Sequence, residues 1–234
     1  MRKLTFDTDE YYHIYNRGVD HRDIFLADTD KQRFYESLYL FNDKKHERRR
    51  GGFDIDRAML LSGAEVFSYD RDLLMSLVGF KLMTNHYHLL VRQEQDDGIS
   101  EFMHRLGTGY TNFINVKEKR SGSLFEGPFK AVHITSDAQL EHVIRYMHLN
   151  EVDRHGIPWR EGRVEDWREV LTILDADNYS SHGVYCGRGQ ELPVVNLELA
   201  HGLFPDPEEY LEFLRSWSQS DMVHIPEDLI VCRS

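Results

Sequence analysis

The chain has 234 residues, 41% hydrophobic and 12% aromatic, which is typical of a globular domain with an extension and excludes a disordered chain. Its two cysteines, Cys186 and Cys232, form no Cys-x-x-Cys pattern, which argues against zinc fingers and a disulfide framework. The first residues contain no apolar signal core and no apolar run is long enough to span a bilayer. We therefore expect a cytoplasmic protein with reduced thiols and no membrane partner.

The net charge of −12 is unevenly distributed along the chain. Residues 150–234 contain 7 Arg, no Lys and 17 Asp or Glu, whereas residues 1–149 contain 21 Lys or Arg and 23 Asp or Glu. The total charge argues against a nucleic-acid partner, but the near-neutral first part can carry local basic patches. We expect residues 1–155 to form one domain and residues 156–234 an acidic extension of unknown role.

The first predicted strand covers Tyr11–Tyr15 and ends at the turn signal Asn16–Gly18. A capping-box pattern at Thr29 and Gln32 then begins a helix. We expect this helix to end within residues 44–52, because basic residues suit a helix C-terminus and glycines stop a helix. An irregular, partly acidic insertion is expected to follow it.

Two strands, Leu77–Met83 and His86–Gln93, are predicted to form a hairpin across Thr84–Asn85. An apolar stripe at helical spacing follows over Ile99–Ile114, and Phe129–Thr135 has the pattern of a further strand. The order strand, helix, strand, strand, helix, strand predicts an α+β fold of the ferredoxin-like or RRM-like type. In this fold a βαββαβ unit forms an antiparallel sheet with helices on one face. The other face is open to a further helix.

A second capping box at Ser136–Gln139 begins the next predicted helix, whose buried stripe includes Leu140 and Met147. The extension after it has mostly helical patterns. Its last helix is capped by Asp206–Pro207 and presents an apolar face that begins at Tyr210.

The stretch NHYHLLV places two histidines at the start of a predicted strand. Residues i and i+2 of a strand point to the same side, so His86 and His88 stand side by side while Tyr87 faces the other way. A strand can present two metal ligands in this way, or bury two ordinary histidines. At a content of 13 His, one such pair is expected by chance, so the pair alone is weak evidence.

The helix after Ser136 stacks His142, Tyr146 and Asn150 on one flank of its buried stripe. A tyrosine can act as a covalent nucleophile toward phosphorus. Two imidazoles and one amide oxygen would make a three-ligand metal site with open positions for a phosphate. Geometry alone favours a half-buried tyrosine and an asparagine that only ends its helix.

Four ordered segments, NHYHLLV, ISEFMHRLGTGYTNFIN, KRSGSLFEGPFKAVHI and VIRYMHLN, resemble the REP-associated tyrosine transposases, which are single-tyrosine HUH transposases of the insertion-sequence type. The similarity covers about residues 10–155. It implies that His86 and His88 are metal ligands and catalytic residues, that Tyr146 is the nucleophile, and that Asn150 is the third ligand. The implied metal is Mg²⁺ or Mn²⁺. The chain departs from the family pattern at three positions: Thr84 and Glu151, where proline is usual, and Pro128, where a basic residue is common.

The resemblance implies cleavage and rejoining of single-stranded DNA at hairpin (repeat) ends through a covalent 5′-phosphotyrosine intermediate. The ester keeps the bond energy, so no nucleotide cofactor is expected, and the chain has no Gly-x-x-x-x-Gly-Lys phosphate loop. A monomer is favoured over a dimer. We predict that DNA contacts come from Arg17, Arg22, Lys44, Lys45, Arg48, Arg49, Arg50, Lys117, Lys119, Arg120 and Lys130. For the run at 44–50, a solvated helix end explains the charges equally well.

Two other functions remain open from the sequence. One is a domesticated module that binds repeat DNA without cleaving it, and the other is a phosphodiesterase that uses its metal to activate water. Tyr110 is a rival nucleophile, although its place in an apolar stripe favours core packing. His142, one turn before Tyr146, is a candidate for assisting removal of the phenolic proton.

Overall fold

The structure, a computed structural model, describes residues 4–45, 66–67 and 70–218. Its centre is a four-stranded antiparallel sheet with the strand order β2-β3-β1-β4. The strands are β1 (Tyr11–Arg17), β2 (Met75–Leu82), β3 (His86–Gln93) and β4 (Lys130–Ile134). In the described ranges the helices are α1 (Asp28–Leu40), α2 (Gly98–Lys117), α3 (Asp137–Asp153), α4 (Trp167–Ala176), α5 (His182–Tyr185), α6 (Leu197–Leu203) and α7 (Pro207–Ser218). Short 3₁₀ helices cover Val19–His21 and Trp159–Glu161.

The first six long elements follow the order β1, α1, β2, β3, α2, β4, which with this strand order is the ferredoxin-like arrangement. The predicted α+β fold class is therefore confirmed. The central strand β1 pairs with β3 on one side and with β4 on the other. In this register Tyr15 lies opposite His88, so both side chains point to the same face of the sheet.

The two faces of the sheet are covered by different helices. Phe34 of α1 packs against Tyr87 with ring centroids 5.0 Å apart, and against Tyr110 of α2 at 4.9 Å, so α1 and α2 share one face. Helix α3 crosses the opposite face, which carries His86 and His88 and which we call the histidine face. The close approach of α3 requires Gly79, because a Cβ there would lie 3.0 Å from Ile144 Cδ1 and 3.1 Å from Met147 Cε.

Both predicted ends of α1 are wrong. The helix begins at Asp28, before Thr29, because the Asp30 carboxylate accepts hydrogen bonds from the backbone N–H groups of Leu26 and Ala27 at 3.0 and 3.1 Å. A charged acceptor in the first turn is favoured over a neutral side chain. The helix ends at Leu40, ahead of the basic run, and residues 46–65 lie outside the described part of the chain.

The chain after α4 lies along β2, which is an edge strand of the sheet. Three backbone hydrogen bonds join the two segments: Leu82 N to Tyr179 O (2.9 Å), Ser181 N to Phe80 O (2.9 Å) and Asn196 N to Leu77 O (2.8 Å). This contact occupies backbone groups that an exposed edge would offer to other chains. The predicted helical character of the extension is confirmed, whereas the domain division at residue 155 stays a prediction. In the described ranges, no helix has the length and apolar character needed to cross a membrane.

Candidate active site

The paired histidines of β3 stand next to each other on the histidine face, with ring centroids 5.0 Å apart and ring planes at 90°. His86 Nδ1 lies 2.6 Å from Asn85 Oδ1, and His88 Nδ1 lies 2.9 Å from His13 Nε2. The Nε2 atoms of His86 and His88 are buried and have no hydrogen-bond partner among the described residues. Each ring therefore uses one nitrogen for support and leaves the other available.

The protonation of these rings suits metal binding. Burial lowers the pKa of His86 to about 4, with a further contribution from the nearby charge of Lys81. Burial also holds the pKa of His88 well below the usual value. Both imidazoles are therefore neutral at neutral pH, and a neutral imidazole offers a lone pair to a cation. Because Asn85 Oδ1 can only accept, His86 carries its hydrogen on Nδ1 and its lone pair on Nε2.

His13 is a supporting residue that the sequence did not indicate. It is fully buried on the neighbouring strand β1, and its Nε2 atom can accept the Nδ1–H of His88. That bond would leave the lone pair of His88 on Nε2. Partners of this kind fix the tautomer and the orientation of metal-ligating histidines. His13 shares the face of Tyr15, which lies opposite His88 in the strand register, so the pairing of β1 with β3 brings the His13 and His88 rings within 5.1 Å of each other.

We expect His13→Ala to weaken Mn²⁺ affinity roughly 10- to 100-fold, because His88 loses the partner that orients its ring. The measurement is the Mn²⁺ dissociation constant by electron paramagnetic resonance. His13→Gln is the matched variant, since its amide oxygen can accept the same hydrogen bond and should restore much of the affinity. Equal affinity in His13→Ala and wild type, at a similar thermal midpoint, would contradict this role.

Tyr146 projects from α3 toward the histidine pair. Its ring meets the edge of His88 at a centroid distance of 5.5 Å and an interplanar angle of 89°. The helix is set in register by Ser136, whose hydroxyl accepts the backbone N–H of Gln139 at 3.3 Å. Tyr146 is 1% exposed, so the phenol lies inside the contact between α3 and the sheet. The structure therefore brings together the two residue types, imidazole and phenol, that the sequence placed on separate elements.

Asn150 lies one helical turn after Tyr146, and Arg160 contacts both residues. The Arg160 guanidinium lies 5.0 Å from the centre of the Tyr146 ring, and its Nη2 atom lies 3.3 Å from Asn150 Oδ1. Asn150 Nδ2 is buried without a hydrogen-bond partner among the described residues. The opposite amide orientation would face two donors toward each other, so the oxygen points to Arg160. Release of Arg160 would free this oxygen for a cation.

A buried ion-pair cluster lies beside the histidines on the same face. Lys81 of β2 is opposite His88 in the strand register, and its side chain is 1% exposed. Its ammonium donates to Glu151 Oε2 at 2.6 Å and to the Asp177 carboxylate. Burial raises the pKa of Glu151, but Lys81, Arg154 and Lys31 together outweigh burial and the net pKa is lowered. Glu151, one of the departures from the family pattern, thus ties α3 to the sheet.

Of the other two candidate residues of the sequence analysis, Tyr110 lies away from the histidine pair, whereas His142 is buried on α3 one turn before Tyr146. Tyr110 is 1% exposed in the core on the opposite face of the sheet, and its hydroxyl donates to the Ile24 carbonyl at 2.8 Å. Burial raises its pKa strongly. His142 accepts a hydrogen bond from Arg145 Nη2 at 2.6 Å through Nδ1, so this nitrogen is already occupied. Tyr110 therefore has a packing role, as its place in the apolar stripe favoured.

Most of the basic residues proposed for DNA binding already contact a protein acceptor. The contacts are Arg17 and Lys130 with Glu126 (2.7 and 3.8 Å), Arg22 with Asp20 (3.3 Å), Lys44 with Gln95 (2.9 Å), Lys45 with Asp70 (2.9 Å), Lys117 with Asp30 (2.6 Å) and Arg120 with the Ser123 carbonyl (2.7 Å). Asp30 is fully buried, so Lys117 serves the fold. Lys119 has no ion pair within the described ranges, and Arg48, Arg49 and Arg50 lie outside them.

His86, His88 and Asn150 are suitable ligands for a divalent cation, because His86 and His88 have donor atoms without a partner in the described part of the chain. His86 and His88 offer two neutral Nε2 atoms, and Asn150 offers an amide oxygen once Arg160 withdraws. Imidazole nitrogen suits Mn²⁺ and softer metals better than Mg²⁺, which prefers oxygen ligands. These three residues would hold the cation, and Tyr146 would face it from α3.

One protein-family model matches the part of the chain that contains these residues. Residues 66–150, which contain both histidines, Tyr146 and Asn150, match the family model described as "Transposase IS200 like". No curated protein matches the chain.

The solved structures that are similar to the chain include the following two. One is a REP-associated tyrosine transposase bound to a REP hairpin, with 11% identity and a TM-score of 0.49, covering 84% of this chain and 92% of that one. The other is tRNA(His) guanylyltransferase from Saccharomyces cerevisiae, with 12% identity and a TM-score of 0.31, covering 98% of this chain and 86% of that one. Both scores are too low to carry an argument by themselves. The similarity to the IS200-like transposase family model is thus confined to residues 66–150, which span β2, β3, α2, β4 and most of α3.

Proposed function

We propose that this protein cleaves and rejoins single-stranded DNA at hairpin ends, with Tyr146 as the nucleophile and a divalent metal held by His86, His88 and Asn150. The observation that carries the proposal is the contact between the Tyr146 and His88 rings at 5.5 Å. One phosphate could therefore contact the phenol and a cation held by the two available Nε2 atoms. The resemblance of four sequence segments to REP-associated tyrosine transposases supports repeat hairpins as the substrate.

The residues divide the chemistry between them. When bound, a divalent cation would neutralise phosphate charge and polarise the scissile P–O bond. The Tyr146 oxygen forms a bond to phosphorus and its proton passes to solvent. The bond from phosphorus to the 3′ oxygen breaks, and this oxygen takes a proton from solvent and leaves as a hydroxyl. The 5′-phosphotyrosine formed in this way is attacked by a 3′-OH from another DNA end. That second transfer reseals the strand and returns the phenol.

Substrate entry requires a local rearrangement, because Tyr146 is 1% exposed and Arg160 lies against its ring. The Arg160 side chain retains partial exposure at 28%, and its other partner is the exposed carboxylate of Asp153 at 2.9 Å. A guanidinium binds phosphate in a bidentate manner. Arg160 would therefore leave Tyr146 and Asn150 and bind the incoming phosphate instead. This movement would expose the Tyr146 hydroxyl and the Asn150 amide oxygen together.

DNA affinity would come from exposed cations whose present contacts are weak. Exposed ion pairs contribute about 0–1 kcal/mol, so a phosphate can replace the carboxylate partner. Lys130 is 53% exposed and 3.8 Å from Glu126, and Arg22 is 46% exposed and 3.3 Å from Asp20. These cations, with Lys119 and the basic run 44–50, are the proposed path of the DNA backbone.

The test is a covalent-adduct assay with a single-stranded hairpin substrate and Mn²⁺, read on a denaturing gel. Wild-type protein should form a protein–DNA adduct, and Tyr146→Phe should form none, because the nucleophilic oxygen is removed. Tyr110→Phe is the matched control, since it removes a buried hydroxyl on the other face of the sheet and should retain the adduct. EDTA should abolish adduct formation by wild type.

Other outcomes would identify a different function. If wild type cleaves the hairpin without forming an adduct, and Tyr146→Phe still cleaves it, the protein is a phosphodiesterase that acts through water. Hairpin binding without cleavage by wild type would indicate a DNA-binding module. An adduct that persists in Tyr146→Phe would place the nucleophile elsewhere.

A further inference from the structure

A second group of metal-ligand side chains lies in the C-terminal region, on elements separate from β3. Asp175 of α4, His182 of α5 and Cys186 just after α5 place one ligand atom each within 4.8 Å of one another. His182 Nε2 is 3.4 Å from Cys186 Sγ and 3.5 Å from Asp175 Oδ1. This group of three residues is called the Cys–His–Asp cluster.

These spacings match the edges of a tetrahedral metal site. With Zn–S near 2.3 Å and Zn–N or Zn–O near 2.0–2.1 Å, two ligand atoms of a tetrahedral zinc lie about 3.3–3.6 Å apart. The distances from His182 Nε2 to Cys186 Sγ and to Asp175 Oδ1 both fall in this range. The third edge, between Cys186 and Asp175, closes by rotation of Asp175, whose side chain is 58% exposed.

A buried hydrogen-bond relay holds the His182 ring in place. His182 Nδ1 lies 2.7 Å from the Tyr210 hydroxyl, which lies 2.9 Å from His148 Nδ1. His148 Nε2 lies 2.7 Å from Ser181 Oγ. Metal-ligating histidines commonly have their second nitrogen anchored in this way.

The hydrogen bonds of the relay can all donate in one of two directions, and one of these directions leaves His182 Nε2 able to bind a cation. In this direction the Ser181 hydroxyl donates to the Phe80 carbonyl at 3.2 Å and accepts from His148. Tyr210 then donates to His148 and accepts from His182 Nδ1–H, so His182 Nε2 carries a lone pair toward the thiol and the carboxylate. The opposite direction puts a hydrogen on Nε2 directed at Asp175. Metal binding selects the first arrangement.

We propose that the Cys–His–Asp cluster is a second metal site, which takes a zinc-class divalent cation through one sulfur, one nitrogen and one oxygen. A thiolate ligand favours zinc-class metals over Mg²⁺. Cys186 binds as the thiolate and its proton passes to solvent. A water molecule would complete the four-coordinate site from the exposed side. Arg188, whose Nη2 atom lies 3.2 Å from Asp175 Oδ1, orients the carboxylate.

The site would join three parts of the chain. Asp175 comes from α4, Cys186 follows α5, and the relay from His182 reaches His148 on α3, two residues after Tyr146. The bound metal would therefore hold the C-terminal helices against the nucleophile-bearing helix. This role is independent of the proposed DNA chemistry.

The experiment is a Co²⁺ titration of the full chain after removal of metals with EDTA. Co²⁺ is a spectroscopic substitute for zinc, and a thiolate ligand produces a charge-transfer absorption in the near ultraviolet. Wild type should show this band, saturating at one thiolate-bound cobalt per chain, and zinc should displace it. Cys186→Ser should lose the band, and Asp175→Asn should weaken cobalt affinity at least about tenfold.

Cys232→Ser is the matched control, because it removes the other cysteine of the chain and should retain the band. His86→Ala should also retain it, which separates this site from the histidine pair. The proposal is wrong if wild type shows no charge-transfer band, if the band survives in Cys186→Ser, or if it disappears in Cys232→Ser.

Discussion

Replacing Lys81 with methionine is expected to lower the free energy of unfolding by about 3–5 kcal/mol. The Lys81 side chain is 1% exposed, and its partners Glu151 and Asp177 are 16% and 11% exposed. Removal of the cation leaves two carboxylates in an environment that solvates charge poorly. An unpaired buried charge costs more than the ion pair contributes, so the loss exceeds that of an ordinary core substitution.

Urea denaturation at fixed pH measures this loss, and two further variants identify its cause. The triple variant Lys81→Met, Glu151→Gln, Asp177→Asn should recover most of the stability, because no charge is left unpaired. Lys130→Met is the matched surface control and should change stability by less than about 1 kcal/mol, since Lys130 is 53% exposed. A loss below about 1 kcal/mol in Lys81→Met would show that the carboxylates are solvated after all.

Replacing both His86 and His88 with alanine is expected to reduce metal-dependent hairpin cleavage at least about a hundredfold. A bound cation contributes several kcal/mol to stabilising charge at a phosphate, and each 1.36 kcal/mol is tenfold in rate. The Nε2 atoms of His86 and His88 are buried and unpartnered among the described residues, and the Tyr146 ring contacts the His88 ring. Hairpin binding should change little, because the histidines are buried and neutral and do not form the basic surface.

Single-turnover cleavage at saturating Mn²⁺ and hairpin affinity by anisotropy measure the two effects separately. His104→Ala, on the exposed side of α2, is the control and should match wild type in both measurements. The thermal midpoint of each variant shows whether the fold is retained. Because His88 is fully buried, His86→Ala alone provides a milder variant with the same expected direction. If the folded double variant cleaves the hairpin at a rate within tenfold of wild type, these histidines do not bind the catalytic metal.

Local patterns in the sequence were enough for the parts of the site that lie within one element. The period of a strand places His86 and His88 on one side, and the structure retains the predicted bounds of that strand. The period of a helix places Tyr146 and Asn150 one turn apart on α3. Such periods depend on backbone geometry that every chain shares, so short windows of residues were sufficient.

Contacts between distant segments could not be obtained in this way. His13 meets His88 across 75 residues, and Lys81 meets Asp177 across 96. Their pairing depends on strand register and on where the C-terminal region packs, and neither leaves a periodic signal. The prediction for α1 failed for a related reason, because Thr29 and Asp30 both offered caps and the charged side chain was the better acceptor.

The sequence by itself determined the order of the elements, the antiparallel ferredoxin-like sheet, the paired imidazoles and the tyrosine-bearing helix. The tertiary structure alone decided which nitrogen of each histidine is available, that Arg160 lies against Tyr146, and that Asp175, His182 and Cys186 meet. The physical reason is the distance along the sequence over which each effect acts. Side-chain periodicity and helix capping involve residues a few positions apart, whereas burial and side-chain pairing follow from packing across the whole chain.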